Sequence, residues 1–204
     1  MSKPELRLAY EVGMKYAARL IDVIQPACSR VRIAGSLRRH KRDIGDIEVC
    51  CIPAAHSDMF DAPVYDAFEV KKLLRQAGYR FEVAGELYIK AFAGGVQHDI
   101  FLTTPEKWGV IFMQRTGCAE FSTKMVTQRN KGGVLPSHLR VKDGRVWSGE
   151  QALDTPEEVD YFGLTWLKWI EPEDRTSEEA QRLTIRLRRG GGVTLKDKLV
   201  RNEI

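Results

Sequence analysis

Three carboxylates stand out because each lies in an apolar stretch that has the character of a β-strand. Asp46 and Glu48 are two residues apart in the stretch 45–52. Successive strand side chains point to opposite faces, so these two acids share one face, roughly 6.5 Å apart along the backbone. Asp99 lies in a later apolar stretch, 96–103, where a charge is costly to bury unless it is paired or bound to a cation. Three convergent carboxylates predict a site for divalent cations that prefer oxygen ligands.

A glycine–serine pair and a basic turn directly precede the first two acids. Gly35 and Ser36 interrupt a short strand predicted over 31–33, and Arg39 follows on the turn. Backbone N–H groups, a hydroxyl and a guanidinium are suited to bind phosphate oxygens. Cations next to a phosphate-binding turn are what nucleotidyl transfer requires. Arg38 is expected either at the surface or behind the phosphate-binding residues.

The elements that must position these residues alternate between helix and strand, which predicts an α+β fold with a mixed sheet. Apolar residues at helical spacing from Leu8 to Ile24 predict a first helix, with its start near Ser2 and Pro4. Gly94-Gly95 and Asp143-Gly144 predict hairpins. The other predicted elements are a loop over 54–67, helices over 68–77, 105–115, 121–129 and 177–189, and strands over 79–86, 87–92 and 96–103.

Composition narrows the class of protein. Of 204 residues, 43% are hydrophobic, enough for a core, and 29% are charged. No stretch of 18 apolar residues and no signal-peptide pattern occurs, so we expect no membrane partner, a cytoplasmic location and a monomer. The four cysteines lack metal-binding spacing and are expected to be buried, reduced thiols.

The basic excess is concentrated in residues 106–150, which carry eight basic and four acidic side chains. Such a local excess is typical of a surface that binds a polyanion such as DNA, although a solvated face of mixed charge would have the same composition. The candidate DNA-binding residues are Lys124, Arg129, Lys131, Arg140, Lys142 and Arg145.

These motifs resemble a known family. GSLRR at 35–39 followed by GDIE at 45–48 resembles the active-site signature of the polymerase-beta-like nucleotidyltransferases, and more closely that of family X DNA polymerases. TGCAEF at 116–121 is similar to the family's TGS segment, and residues 131–139 are similar to the stretch that follows it. Residues 157–173 resemble the closing pattern of its thumb. The resemblance covers about residues 3–175.

The resemblance implies three regions. Residues 1–104 would be a nucleotidyltransferase palm, a mixed sheet with helices on one face. Residues 105–175 would be a small α+β thumb that contacts DNA and the nascent base pair, and 176–204 a C-terminal helix and basic tail. Two Mg²⁺ ions, replaceable by Mn²⁺, would be held by the catalytic acids, with Asp46 and Glu48 bridging both and Asp99 holding the ion nearest the attacking hydroxyl.

The resemblance also implies the substrates. A nucleoside triphosphate would be bound with its outer phosphates at Ser36 and Arg39, and gapped or nicked primer–template DNA would be extended. Nothing upstream resembles the family's lyase domain, so no lyase activity is expected. The implied nucleotide-binding residues are Gly35, Ser36, Arg39, Gln114, Arg115, Gly117 and Ser122.

The chain departs from the family pattern at several positions. Glu48 replaces the usual second Asp, and Ser122 replaces an Asn that contacts the new base pair. Gln114 and Arg115 replace an aromatic pair that crowds the sugar 2′ position, so weak discrimination against ribonucleotides is expected. Cys118 replaces a Ser.

Two other functions stay open. One is transfer of a nucleotide to a non-DNA acceptor, such as a small molecule, a protein or an RNA end, which Glu48 and the Gln114-Arg115 pair favour slightly. The other is a non-catalytic nucleic-acid-binding module, against which the intact Asp46 and Asp99 argue.

Overall fold

The computed structural model describes residues 7–57 and 59–188, and its fold is α+β. The helix start predicted at Ser2 and Pro4 and the basic tail predicted beyond residue 189 lie outside the described residues. Within the described ranges, no helix combines the length and the apolar character needed to cross a bilayer.

Helices and strands alternate along the chain. The first helix begins only at Tyr10, because the two preceding residues, Leu8 and Ala9, pair as a short strand with Asp43 and Ile44. The stretch 54–67, predicted as a loop, contains a short hairpin in which His56–Ser57 pairs with Pro63–Val64. The helices are α1 (Tyr10–Ile24), α2 (Gly35–Arg38), α3 (Phe68–Gln76), α4 (Trp108–Thr116), α5 (Ala119–Val126), α6 (Glu158–Thr165) and α7 (Ser177–Arg188). The strands are β1 (Leu8–Ala9), β2 (Cys28–Ile33), β3 (Asp43–Ile44), β4 (Ile47–Pro53), β5 (His56–Ser57), β6 (Pro63–Val64), β7 (Arg80–Ala84), β8 (Tyr88–Ala93), β9 (Val96–Leu102), β10 (Leu139–Lys142), β11 (Arg145–Ser148) and β12 (Gln151–Leu153).

Five strands form the central sheet in the order β2-β4-β9-β8-β7. Neighbouring strands are antiparallel except β4 and β9, which are parallel. Gly94 and Gly95 join β8 to β9 in the predicted hairpin, and both have the positive φ that such a turn needs. Because β4 and β9 run the same way, residues near the start of both strands lie at the same edge of the sheet.

Helices α1 and α3 cover one face of this sheet, around a core that includes Val49 and Ile100. Val12, predicted in the buried stripe of α1, is instead 40% exposed. Gly13 faces the core in its place, because α1 lies so close to α2 that a Cβ at Gly13 would be 3.0 Å from Leu37.

The opposite face, which carries the acids, is covered by α4. Trp108 and Phe112 of α4 pack against Cys50, Ile52 and Phe101 of the sheet. The prediction of helices on one face is therefore correct for α1 and α3 but incomplete, since the second half of the chain supplies a helix to the other face.

Residues 105–188 form a further core between α4 to α7 and the small sheet β10-β11-β12. Its large buried side chains include Phe121 and Tyr161. The predicted hairpin at Asp143 and Gly144 joins β10 to β11, and both residues have positive φ, 52° and 71°. The turn chemistry read from the sequence is confirmed at this position.

A buried ion cluster joins the two halves. Arg38 Nη2 and Arg175 Nη1 donate to the two carboxylate oxygens of Glu158, at 2.5 and 2.6 Å. Arg175 is fully buried and Glu158 is 5% exposed. The guanidinium of Arg38 also lies 3.8 Å from the ring centroid of Phe112. Arg38, expected either at the surface or behind the residues predicted to bind phosphate, is therefore found mostly buried.

We predict that Glu158→Gln will lower the free energy of unfolding by about 3 kcal/mol, because it leaves two arginines, one fully buried, without their counter-charge. Urea denaturation measures this change. Glu157→Gln is the matched control, since Glu157 pairs with Arg30 at 2.7 Å but is 54% exposed. An exposed pair contributes less than about 1 kcal/mol. Equal losses in the two variants would contradict the prediction.

Candidate active site

The structure brings Glu48 and Asp99 side by side. Glu48 lies in β4 directly opposite Asp99 in β9, and the two strands are parallel neighbours. Neighbouring strands are about 4.8 Å apart, so these side chains leave the same face of the sheet within reach of one small ligand. Asp46 is two residues before Glu48, immediately ahead of β4.

Charge and burial act together on Glu48. Burial, together with the neighbouring charges of Asp46 and Asp99, raises the pKa of this carboxyl to about 7, while Arg39 and Arg115 act in the opposite direction. Both acids and both arginines are thus close enough to influence Glu48. The three carboxylates form a region of unfavourable negative charge, which a bound cation would relieve.

The donor set fits a hard cation by its chemistry, since all three side chains offer carboxylate oxygens. Among the described residues, however, no three His, Cys, Asp or Glu side chains are arranged as a formed metal-binding group. His98, between Gln97 and Asp99, is buried on the other face, where its ring meets Tyr79 edge-on. Burial lowers the pKa of His98 to about 4.

Two hydrogen bonds hold Asp99 in place. The Tyr88 hydroxyl donates to Oδ1 at 2.9 Å, and Gln97 Nε2 donates to Oδ2 at 3.0 Å. Asp99 is 7% exposed, so both bonds are largely shielded from water. Sequence reasoning missed Tyr88 and Gln97. The signal was present in the alternation of the hairpin, because Gln97 is two residues before Asp99 and Tyr88 pairs with Phe101, two residues after it.

The glycine–serine pair lies against Glu48. Gly35 has φ +57°, and a Cβ there would be 1.6 Å from Glu48 Oε2, so only glycine fits this position. Ser36 Oγ is buried and has no hydrogen-bond partner among the described residues, and the same is true of Arg39 Nε. Buried polar atoms without partners are uncommon and mark places where a ligand oxygen could bind.

Two arginines lie at the boundary between the halves of the chain. Arg39 Nη1 donates to the carbonyl of Thr116 at the end of α4. The guanidinium of Arg115, also on α4, lies 4.0 Å from the ring centroid of Phe101, which stacks in turn on Tyr88. The second half of the chain therefore places a positive charge next to the acids.

The other predicted nucleotide-binding residues lie on α4, on α5 and in the turn between them. Ser122 Oγ donates to the carbonyl of Gln114 at 2.6 Å, which fixes the turn between the two helices. A Cβ at Gly117 would be 2.6 Å from Phe121 Cδ1, so close packing alone requires glycine there. Each of these residues thus has a structural task whether or not a nucleotide binds.

Several predicted DNA-binding side chains are engaged within the protein. Arg129 donates to the carbonyls of Val134 and Thr165 at 3.0 and 2.8 Å. Arg140 and Arg145 pair with Glu150 and Asp154, at 3.4 and 2.5 Å. Lys124 and Lys131 line an open groove of about 400 Å³ beside α5, and Lys142 is exposed. The positive charge of this surface therefore depends mainly on lysines.

We predict that Glu48→Gln will stabilise the protein at high pH when no divalent cation is added. Because the pKa of Glu48 is about 7 in the folded state against 4.5 as its ordinary value, stability is lost as the pH rises through this interval. A neutral glutamine should recover up to about 3 kcal/mol at pH 8 and almost nothing at pH 4.5. Chemical denaturation at the two pH values measures the difference.

The matched control is Glu69→Gln, which removes an exposed carboxylate paired with Lys72 on α3. We expect this variant to change the stability by similar small amounts at both pH values. A stabilisation by Glu48→Gln that does not depend on pH would show that ionisation of Glu48 is not its cause.

Comparison of the chain with models of known protein families finds no match, and comparison with curated proteins finds no relative.

Proposed function

We propose that this protein is a metal-dependent nucleotidyltransferase that adds nucleotides to the 3′-hydroxyl of a DNA primer at gaps or nicks. The observation that carries the proposal is the pairing of Glu48 with Asp99 on parallel neighbours β4 and β9, with Asp46 immediately ahead of β4. Beside these acids lie the buried, unpartnered Ser36 Oγ and Arg39 Nε. Acids for cations and donors for phosphate thus lie at one place.

Asp46, Glu48 and Asp99 are the residues that would hold two Mg²⁺ ions. Bound there, the ions would supply charge neutralisation at the reacting phosphate and ease ionisation of the attacking hydroxyl. Two features support bound cations. The three side chains offer carboxylate oxygens, which hard cations prefer, and the raised pKa of Glu48 shows that negative charge is unfavourable there without a cation.

The residues of the chain would then have positioning tasks, as is usual in phosphoryl transfer. Ser36 and Arg39 would bind the outer phosphates of the nucleoside triphosphate. Asp99 would accept the proton of the primer 3′-hydroxyl, while Tyr88 and Gln97 keep its carboxylate oriented. The 3′-oxygen forms a bond to the α-phosphorus as the bond to pyrophosphate breaks, and pyrophosphate leaves with the electron pair.

A palm and thumb arrangement would explain the two halves of the chain. The first half carries the acids, and the second half, through α4, brings Arg115 beside them. Partly exposed Lys124 and exposed Lys131 and Lys142 would contact DNA phosphates without reading sequence, so affinity should fall with salt.

One observation favours a second candidate, nucleotidyl transfer to a non-DNA acceptor. Arg129, Arg140 and Arg145 are each engaged with groups of the protein itself. The surface is therefore less available to a polyanion than its composition indicates. An incubation of the protein with labelled nucleotide and Mg²⁺ separates the two candidates. One sample contains gapped DNA, the other a mixture of RNA ends and small metabolites, and the acceptor that becomes labelled identifies the reaction.

We predict that the pure protein extends a primer across a short gap in the presence of Mg²⁺, and that Asp46→Asn, Glu48→Gln and Asp99→Asn each lower the rate at least about 100-fold. Gel-based primer extension measures this rate. Asp22→Asn, an acid on the far helix α1, is the control and should leave it unchanged. Full activity in all three variants would rule out the proposed chemistry.

We also predict that Tyr88→Phe will lower kcat by about 10-fold and raise the Mg²⁺ concentration for half-maximal rate, with little change in the KM for nucleotide. The hydroxyl orients Asp99 but is not expected to touch the triphosphate. Tyr161→Phe is the matched control, because its buried hydroxyl donates to the carbonyl of Met125 in the other core. A rise in the KM for nucleotide with no change in kcat would argue against this positioning role.

A further inference from the structure

A tryptophan ends helix α6 in a conformation that large side chains rarely adopt. Trp166 has φ 58° and ψ 25°, in the left-handed region. Its backbone N–H donates to the Gly163 carbonyl at 3.1 Å, and the backbone N–H of Leu167 donates to the Phe162 carbonyl at 3.3 Å. This is the pattern of a helix end that normally carries glycine. A bulky residue at such a position is an outlier and points to a selected task.

The indole is both exposed and supported. Trp166 is 41% exposed. The guanidinium of Arg129 lies 4.7 Å from its ring centroid. Arg129 is itself held by hydrogen bonds to the carbonyls of Val134 and Thr165. The ring is therefore presented to solvent against a fixed backing rather than on a loose side chain.

Further basic side chains lie close in sequence and in space to the arginine that backs this ring. Arg129 begins a tight turn that ends at Lys131. Lys131 and Lys124 line the groove beside α5 together with Thr123, Thr127 and one acid, Glu120. Lys124 Nζ donates to the carbonyl of Gly132, so its ammonium is fixed next to the same turn. An aromatic face with lysines along a nearby groove is the combination that binds unpaired nucleotides.

We propose that Trp166 stacks on an unpaired nucleobase of a single-stranded nucleic acid, whose backbone phosphates contact Lys124 and Lys131. The inference rests on the proposed function, because in that reaction the single strand would be the unpaired template. A base inside a duplex has both faces covered and cannot stack on the indole. Every base offers a planar face, so the contact should tolerate any sequence.

The experiment compares the binding of a labelled single-stranded DNA to the wild type and to Trp166→Gly, by fluorescence anisotropy. Glycine accepts the left-handed conformation without strain, so the melting temperature should fall by no more than about 2 °C. Affinity should fall roughly 5- to 100-fold, the usual effect of removing one stacking ring. Trp166→Phe should retain most of the affinity.

The salt dependence separates stacking from charge. Trp166→Gly should lower the affinity without changing the slope of log Kd against log salt. Lys131→Ala should lower the slope by about 0.7, the value for one phosphate contact on a single strand. Trp147→Leu, on strand β11, is the control for loss of a partly exposed tryptophan elsewhere and should leave the affinity unchanged.

Two further ligands test the nature of the contact. Blunt duplex DNA should bind Trp166→Gly and wild type equally, and so should a single strand made of abasic nucleotides. Equal affinity of the two proteins for normal single-stranded DNA would overturn the inference. It would also be overturned if Trp166→Gly lowered the affinity for the abasic strand as much as the affinity for the normal strand. If Trp166→Gly is unstable, Trp166→Asn replaces it, because asparagine also tolerates this conformation.

Failure of the inference and failure of the proposed function give different results. A wild-type protein that extends a primer but binds single strands no better than Trp166→Gly would remove only the stacking role. A wild-type protein that neither binds nor extends any nucleic acid would remove both.

Discussion

The parallel pairing of β4 with β9 determines which acidic side chains meet at the candidate site. It is the one parallel contact in the five-stranded sheet, and it sets Glu48 directly opposite Asp99. An antiparallel pairing in another register would bring different residues together, and a shift by one residue would turn one acid into the core. The site therefore exists only as long as this register is kept.

Bringing acids together has an electrostatic cost, and the second half of the chain offsets part of it. Arg39 and Arg115 oppose the effect of Asp46 and Asp99 on the pKa of Glu48. Arg115 comes from α4, and Arg39 is tied to the end of α4 through the carbonyl of Thr116. The charge balance of the acids is thus linked to the packing of α4 against the sheet.

That packing is supported by the cluster of Arg38, Glu158 and Arg175. Ser36 and Arg38 lie in the short helix α2 and Arg39 directly follows it, so the buried ion pair and the predicted phosphate donors belong to one short segment. A buried ion cluster adds little net stability but strongly disfavours arrangements in which a partner is lost. The cluster therefore contributes more to the specific arrangement of the two halves than to the stability of their packing.

Much of this fold can be predicted from short-range patterns in the sequence. The Gly94-Gly95 and Asp143-Gly144 hairpins were predicted because the turn chemistry is local. Three acids with a glycine–serine turn were identifiable by residue type and spacing. The start of α1 at Tyr10 and the place of Gly13 in its buried stripe were not, because both depend on β3 and on Leu37, which lie far along the chain.

The amino-acid order specifies the set of chemical groups and the local elements that carry them. Which of those groups meet depends on how distant segments fold together. Tyr88 and Gln97 became partners of Asp99, Arg38 found Glu158 across 120 residues, and Arg129 turned inward to carbonyls and to Trp166. Burial and pairing are long-range effects. The sequence shows that a carboxylate or a guanidinium is present, but its partner depends on which distant segments pack against it.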